Sequence, residues 1–244
     1  MSKVEVKNLT KKFGDLLVLD KISFDVEDGE FLCIVGPTGC GKTTFLNSLT
    51  KIYDINEGSI QIDGEDVDLR KHSLAYIMQE YSTMSWLNVR QNVAFGLEIK
   101  KLSKREIAKK TEAALEMVGL TKFADYYPNQ LSASMMQRVA IARAFAVEPD
   151  LLLMDEPYGQ LDLELRFKLE DELLNLWRKL GTTVIFITHN IEEAVYLSER
   201  ILVLTNKPTT IKQSIQNTLS YPRKVTDEDF IKLREEVTAL IKWW

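Results

Sequence analysis

Phe31-Leu32-Cys33-Ile34-Val35-Gly36-Pro37-Thr38-Gly39-Cys40-Gly41-Lys42-Thr43-Thr44 is the stretch on which the reading of this chain turns. Five apolar residues read as a buried strand. Gly36 to Thr43 then matches G-x-x-x-x-G-K-[ST], and Phe45, Leu46 and Leu49 continue as a helical pattern. Strand, glycine-rich loop and helix in that order are the context a phosphate-binding loop requires. Glycines let backbone N–H groups converge on phosphate oxygens, and the helix beginning near Gly41 adds its positive end. Lys42 is expected to reach the β- and γ-phosphates, and the Thr43 hydroxyl to ligate Mg²⁺.

A second apolar run, Leu151-Leu152-Leu153-Met154, ends in Asp155-Glu156. Asp155 falls at the carboxyl end of its strand, where open α/β sheets place ligands, and can hold Mg²⁺ directly or through water. Glu156 is a candidate general base for an attacking water. An apolar run followed by Asp-Glu is weak alone; paired with the loop it indicates a nucleoside triphosphate, Mg²⁺ and hydrolysis. His189 follows the β-rich run Thr183–Thr188 and can contact a γ-phosphate or orient a water. On spacing alone, a capping or core histidine competes with that reading. Gln79, after the short strand Ala75–Met78, is a polar group at a comparable strand end.

The 244 residues are 45% apolar, enough for a substantial core. The formal charge, 31 − 36 = −5, is opposite to that of a strongly basic nucleic-acid protein. No stretch approaches the roughly 20 apolar residues that span a bilayer, and Met1–Val6 does not read as a signal peptide. Cys33 in a buried strand and Cys40 in the loop do not suggest a disulfide, and a cytosolic setting fits. Cys40 reads as a small residue in a tight loop rather than a redox switch.

Residues 1–30 read as strands, with Val4 and Val6, then Ile22, Phe24 and Val26, alternating with polar neighbours. A short strand is expected over 58–64. Residues 86–148 read mainly as helix, with Ile107, Thr111, Ala114, Leu115 and Val118 at helical spacing. Leu165, Leu169, Leu173, Leu176 and Leu180 predict an apolar stripe on a long helix that Gly181 ends. Ile201–Leu204 is one more strand. Phe230, Leu233, Val237, Leu240 and Trp244 share a final helical face, and the basic patch from Lys100 to Lys110 reads as a solvated face. The fold class is α/β, with a P-loop core, an antiparallel β part at the N-terminus and a helical subdomain set into it. The expected division is one domain, 1–244, with 1–85 and 149–225 as nucleotide-binding core, 86–148 as helical subdomain and 226–244 as C-terminal helix. A GTPase is disfavoured because Asn206-Lys207-Pro208-Thr209 has Thr209 where N-K-x-D needs its Asp.

The order of these motifs resembles the ATP-binding cassette (ABC) ATPases over nearly the whole chain, with a RecA-like core. The resemblance implies that Phe13, in Lys12-Phe13-Gly14, stacks on adenine. It makes Gly36, Pro37, Thr38, Gly39, Cys40, Gly41, Lys42, Thr43 and Thr44 the Walker A segment, and Leu151–Glu156 Walker B. Gln79 becomes the Q-loop residue and a metal contact, Leu161-Asp162 the D-loop, and His189 the switch histidine. A finer resemblance is to importer subunits of the nitrate/sulfonate/taurine group, through Ser85–Leu97 with Trp86, through Lys207-Pro208 and through Tyr221-Pro222-Arg223. It implies a motor subunit on the cytoplasmic face of the membrane. Two such subunits would clamp two ATP molecules and drive a permease fed by a solute-binding protein, with no nucleic-acid partner. The chain ends at Trp244, too early for the regulatory domain that some sugar-importer ATPases carry.

One segment departs. The family signature L-S-G-G-Q is here Leu131-Ser132-Ala133-Ser134-Met135. Glycines there allow close backbone approach to the opposite subunit's γ-phosphate. Three readings stay open. The first is a homodimer with slowed turnover, in which Ser132 still binds. The second is a heterodimer whose partner carries an intact signature. The third is a weakly hydrolytic or non-catalytic binding subunit, against which Lys42, Asp155, Glu156 and His189 all argue.

Overall fold

The computed structural model describes residues 2–159 and 161–241. The chain forms two compact units: one runs from Leu74 to Leu180, and the other comprises the segments on either side.

In the two-segment unit, β1 (Ser2–Phe13) and β2 (Leu16–Glu27) form an antiparallel hairpin. Val4 and Val6, and Ile22 and Val26, turn inward at the period of two that a half-buried strand requires, and a register shift between Val6 and Leu9 lets Leu9 turn inward as well. β3 (Phe31–Val35) is buried at every residue, as a strand covered on both faces must be. α1 (Lys42–Leu49) follows it. β4 (Glu57–Ile62) pairs antiparallel with β1, and β5 (Glu65–Asp66) with β4. The strand expected over 58–64 thus ends at Ile62, where Asp63 and Gly64 turn with positive φ.

The other unit opens with β6 (Leu74–Ile77), parallel to β7 (Leu151–Asp155). Between them lie α2 (Val89–Ile99), α3 (Lys104–Met117) and α4 (Ala133–Ala146). Asn88 and Ser103 start α2 and α3 with capping boxes. α4 is apolar around most of its girth and packs on both α2 and α3. The basic patch is surface: Lys100, Lys101, Lys104 and Lys109 are exposed, and Lys110 pairs with Glu148 at 2.6 Å.

α5 (Leu163–Leu180) corrects the expected stripe. Its buried residues are Leu169, Glu170, Leu173, Leu174 and Trp177, whereas Leu180 is 37% exposed and Leu165 and Leu176 are half-buried. At 100° per residue, the buried face lies about 70° around the helix from the all-leucine stripe. Trp177 and Leu174 carry the packing that counting leucines along one line missed.

The first unit resumes with β8 (Thr183–Ile187), α6 (Ile191–Leu197), β9 (Arg200–Leu204), β10 (Ile211–Gln216) and α7 (Glu228–Leu240). β3 lies between β8 and β9, parallel to both, and β10 closes antiparallel on β9. Phe230 and Val237 of α7 are buried; Trp243 and Trp244 lie outside the described residues. The carboxyl end of α6 is held by a clamp. Arg223 Nη1 donates to the carbonyls of Val195, Tyr196 and Ser198 at 2.8, 2.9 and 2.7 Å. The Tyr221 hydroxyl donates to Leu197 O at 2.6 Å, and the guanidinium lies 3.9 Å from the Tyr221 ring centroid. These donors occupy carbonyls that a helix end leaves without intrahelical partners. No helix among the described residues is long and apolar enough to cross a membrane.

Candidate functional site

In the first unit the site is built on neighbouring parallel strands. Ile34 of β3 stands opposite Ile187 of β8, so the loop after Val35 and the turn carrying His189 leave the sheet at the same edge. Ligands of open parallel sheets bind at that edge. The loop needs its glycines. A Cβ on Gly36 would lie 3.0 Å from Leu204 Cβ, and one on Gly41 would lie 2.8 Å from Val18 Cγ1. Gly41 also has φ +116°, which side-chain-bearing residues avoid.

Cys40 N donates to Pro37 O at 3.2 Å, and the Thr209 hydroxyl donates to Cys40 O from beyond the sheet. Lys42 is buried, and its ammonium donates to the carbonyls of Gly36 (2.9 Å) and Pro37 (3.1 Å). The cation is thereby held within the loop. No side chain caps α1 and its first turn carries no acidic residue, so its N-terminal field faces the loop unopposed. Thr38, Gly39 and Thr43 are exposed and Thr44 half-buried. Burial pushes the Cys40 thiol up, against the pull of Lys42 and Lys207. A thiol held protonated is a poor nucleophile, which agrees with its reading as a small loop residue.

His189 is exposed on a fastened turn. The Thr188 hydroxyl donates to Glu193 Oε2 at 2.6 Å and accepts from Asn190 N at 2.9 Å. Glu193 is buried beneath the turn. Its sequence position, in the first turn of a helix, hid this role as an anchor.

Phe13 sits at the tip of the β1–β2 hairpin, 43% exposed. Its ring meets Tyr53 edge-on at 5.3 Å, and Lys11 Nζ lies 4.7 Å above it. Tyr53 and Lys11 were not among the expected site residues, and nothing in their spacing marks them.

The second unit brings Gln79, Asp155 and Glu156 together. Ile77 of β6 pairs with Met154 of β7, so Gln79 and Glu156 each stand two residues past the paired positions. Gln79 Nε2 donates to Glu156 Oε2 at 3.4 Å. Asp155 is 1% exposed at the end of β7. Glu156 has φ +47°, a left-handed backbone that costs a non-glycine residue roughly 1–2 kcal/mol. This kink turns the chain out of the strand direction immediately after Asp155.

Ser132 and Asp162 each head a helix. Ser132 Oγ accepts from Met135 N at 3.2 Å, and Asp162 Oδ1 accepts from Leu165 N at 3.0 Å. Ala133, Ser134 and Met135 form the first turn of α4. The Asp162 carboxylate raises the Arg138 pKa, but burial dominates and lowers it. Gln137, absent from the expected set, is buried and donates to Pro157 O at 2.9 Å.

A wide cleft of about 580 Å³ elsewhere on the first unit does not suit a triphosphate. It is lined by Asp25, Glu27, Asp28, Glu30 and Glu199, whose charge repels phosphate, and its Arg200 is already paired with Glu30 at 2.6 Å.

The ABC transporter family pattern matches residues 19–159. The chain is 42% identical to an uncharacterized ABC transporter ATP-binding protein of Methanocaldococcus jannaschii, over 98% of this chain and 91% of that one. It is also 42% identical to the aliphatic sulfonates import ATP-binding protein SsuB of Bacillus thuringiensis subsp. konkukian, over 95% and 91% of the two chains. Among solved structures it resembles the ATP-binding cassette MJ0796 in a dimeric post-hydrolysis state bound to ADP and Pi. The TM-score is 0.81 at 32% identity, covering 89% of this chain and all of that one. With its P-loop between β3 and α1 and its paired carboxylates at the end of β7, the chain belongs to the ABC transporter family as an ATP-binding subunit.

Proposed function

We propose that the chain is the ATP-hydrolysing motor subunit of a membrane importer for a small solute of the nitrate, sulfonate or taurine class. The observation that carries the reading is the Gln79–Glu156 contact at the ends of β6 and β7. It sets a neutral amide against the carboxylate that would take a proton from water. Residues 1–244 act as one ATPase domain, with 1–85 and 149–225 as nucleotide-binding core and 86–148 as helical subdomain.

In this reading Lys42 and the loop amides of Gly36–Thr44 hold the phosphates, and Phe13 stacks on adenine beside Tyr53. The Thr43 hydroxyl and the Asp155 carboxylate, with Gln79, are hard oxygen donors of the kind Mg²⁺ takes together with substrate phosphates. Mg²⁺, when bound, neutralises charge on the β- and γ-phosphates. Glu156 is the general base and His189 contacts the γ-phosphate. Ser132 and Asp162 face a second ATPase subunit. A transmembrane permease, served by a solute-binding protein, is the output partner and holds the chain at the cytoplasmic face of the membrane. Trp86, 72% exposed three residues before α2 begins, belongs to the surface that meets it. Release of phosphate from ATP in the presence of Mg²⁺ tests the reading; a rate at the buffer background overturns it.

A second reading, a weakly hydrolytic subunit paired with a partner that has an intact signature, draws on the altered first turn of α4. Ala133 and Ser134 put Cβ atoms where the family has none. Ala133→Gly, Ser134→Gly and Met135→Gln together are expected to raise turnover about tenfold. That is the equivalent of regaining one hydrogen bond to a charged group, about 1.5 kcal/mol. Each glycine weakens the helix start by up to about 1 kcal/mol, so binding and melting temperature are measured alongside. Turnover equal to or below that of the unaltered chain, with its partners present, counts against slowing by the signature.

A further inference from the structure

The phosphate loop is held from behind at one peptide, Cys40–Gly41. Thr209, in the turn between β9 and β10, is fully buried, and its hydroxyl donates to Cys40 O. The Cys40–Gly41 bond is trans. A trans peptide is planar, with its C=O and N–H pointing in opposite directions. With the carbonyl drawn toward Thr209, Gly41 N–H points away from that turn, and it meets no acceptor among the described residues. The neighbouring Cys40 N–H is not available in the same way, because it donates to Pro37 O at 3.2 Å. Thr209 is itself fixed from another side. Its N donates to Val18 O and its O accepts from Asp20 N, both at 2.9 Å. The same stretch of β2 packs behind the loop where Gly41 has no Cβ.

We propose that Thr209 is a positioning residue for phosphate binding: by fixing Cys40 O, its hydroxyl aims Gly41 N–H at the phosphates of a bound nucleotide. The proposal rests on the reading above, in which this loop holds the phosphates of ATP.

The alternative is that Thr209 merely closes the sheet beside β2, and the division of its bonds argues against it. Its backbone N–H and C=O make both bonds to β2, so that closure needs no hydroxyl. At full burial a hydroxyl costs free energy unless it is paired, and a valine of the same shape carries no such cost. The hydroxyl is directed to a different element, the loop between β3 and α1. A flip of the Cys40–Gly41 peptide would turn a carbonyl oxygen toward the phosphates in place of an N–H, replacing attraction with repulsion. The bond from Thr209 opposes that flip.

The test compares the unaltered chain with Thr209→Val, which keeps the shape and removes the donor. It adds the pair Thr209→Ser and Thr209→Ala, which differ from each other only in the hydroxyl. Binding of MgADP is measured because it needs no turnover, together with KM and kcat for MgATP and the melting temperature. The amide resonance of Gly41 is followed in protein isotopically labelled at its 11 glycines. Thr209→Val and Thr209→Ala are expected to weaken MgADP binding and raise KM about tenfold, the size of one hydrogen bond to a charged group. Turnover at saturation should stay within about threefold, because an amide that grips phosphate equally before and during reaction acts on KM rather than kcat. Thr209→Ser should bind within about threefold of the unaltered chain. Saturating MgADP should move the Gly41 resonance in the unaltered chain and in Thr209→Ser, and less than half as far in Thr209→Val. Binding within twofold of the unaltered chain in Thr209→Val and Thr209→Ala, or a full Gly41 shift in either, overturns the proposal. A purely structural role would lower the melting temperature and leave affinity per folded molecule unchanged, which also overturns it. If Thr209→Val does not fold, the serine and alanine variants decide. If the unaltered chain binds MgADP but does not hydrolyse ATP, the ATPase reading falls, and binding and the Gly41 resonance still decide the role of Thr209. If it binds neither nucleotide, both fall.

Discussion

Glu156→Gln is expected to lower ATP turnover by about 10²- to 10⁴-fold, the range a positioned general base contributes. The substitution keeps the shape of the side chain, and glutamine can still meet Gln79 through its amide. It removes the negative charge and with it the basicity needed to accept a proton from water. The backbone at Glu156, with φ +47°, is set by its neighbours and tolerates glutamine as it does glutamate. Binding should survive, because Lys42 and the loop lie on other elements. ATP should therefore accumulate unhydrolysed on the variant and drive it into a dimer that sediments faster than the nucleotide-free form. Turnover within tenfold of the unaltered chain would remove Glu156 as the base. Monomers carrying tightly bound ATP would point instead to a missing partner with an intact signature.

The second large effect concerns stability. Arg223→Ala should cost about 3 kcal/mol, because one nitrogen donates to three carbonyls at the end of α6. Each such bond from a charged group is worth roughly 1.5–3 kcal/mol, and bonds sharing one donor do not add. Truncation also strips the guanidinium from the Tyr221 ring. For a chain of this size the melting temperature should fall by about 6–12 °C. Arg223→Lys should recover less than half of that, since an ammonium cannot present the planar fork. A fall of under 2 °C for Arg223→Ala would show that water or the neighbouring donors Tyr221 and Asn217 take over the carbonyls. Because α6 follows His189, the variant also reports whether the turn carrying the histidine depends on its helix being held at the far end.

The nucleotide loop was legible because its chemistry is local. Strand, glycines, lysine and helix occupy consecutive residues, and each constrains the next. The carboxylates were legible for the same reason. The Gln79–Glu156 contact was not, because it depends on the register of β6 against β7 across 77 residues of chain. Glu193 looked like an ordinary acid in a helix's first turn and is instead buried under the histidine turn. α5 shows a different failure. Counting leucines found the helix but placed its buried face wrongly, since Trp177 and Glu170 also go inside and leucine identity alone does not say which side is covered. Ser103 and Glu106 formed a readable capping box that the hydrophobic pattern overshadowed. The role of Thr209 could not be read at all: a threonine between two strands looks like an ordinary turn residue until the loop it fastens is known.

The order of strands also has a consequence for biosynthesis. β3 is apolar at every position, and its partners β8 and β9 are encoded some 150 residues later. At ordinary rates of synthesis a ribosome takes roughly ten to thirty seconds to deliver them. Throughout that interval the nascent chain carries Phe31–Val35 without either neighbour, followed by a phosphate loop whose supporting Leu204 and Thr209 do not yet exist. ATP cannot help the first half fold, because the pocket that would grip it is finished only when the last fifth of the message has been read. Slowing synthesis between codons 50 and 180 should therefore lower the soluble yield more than slowing it after codon 210.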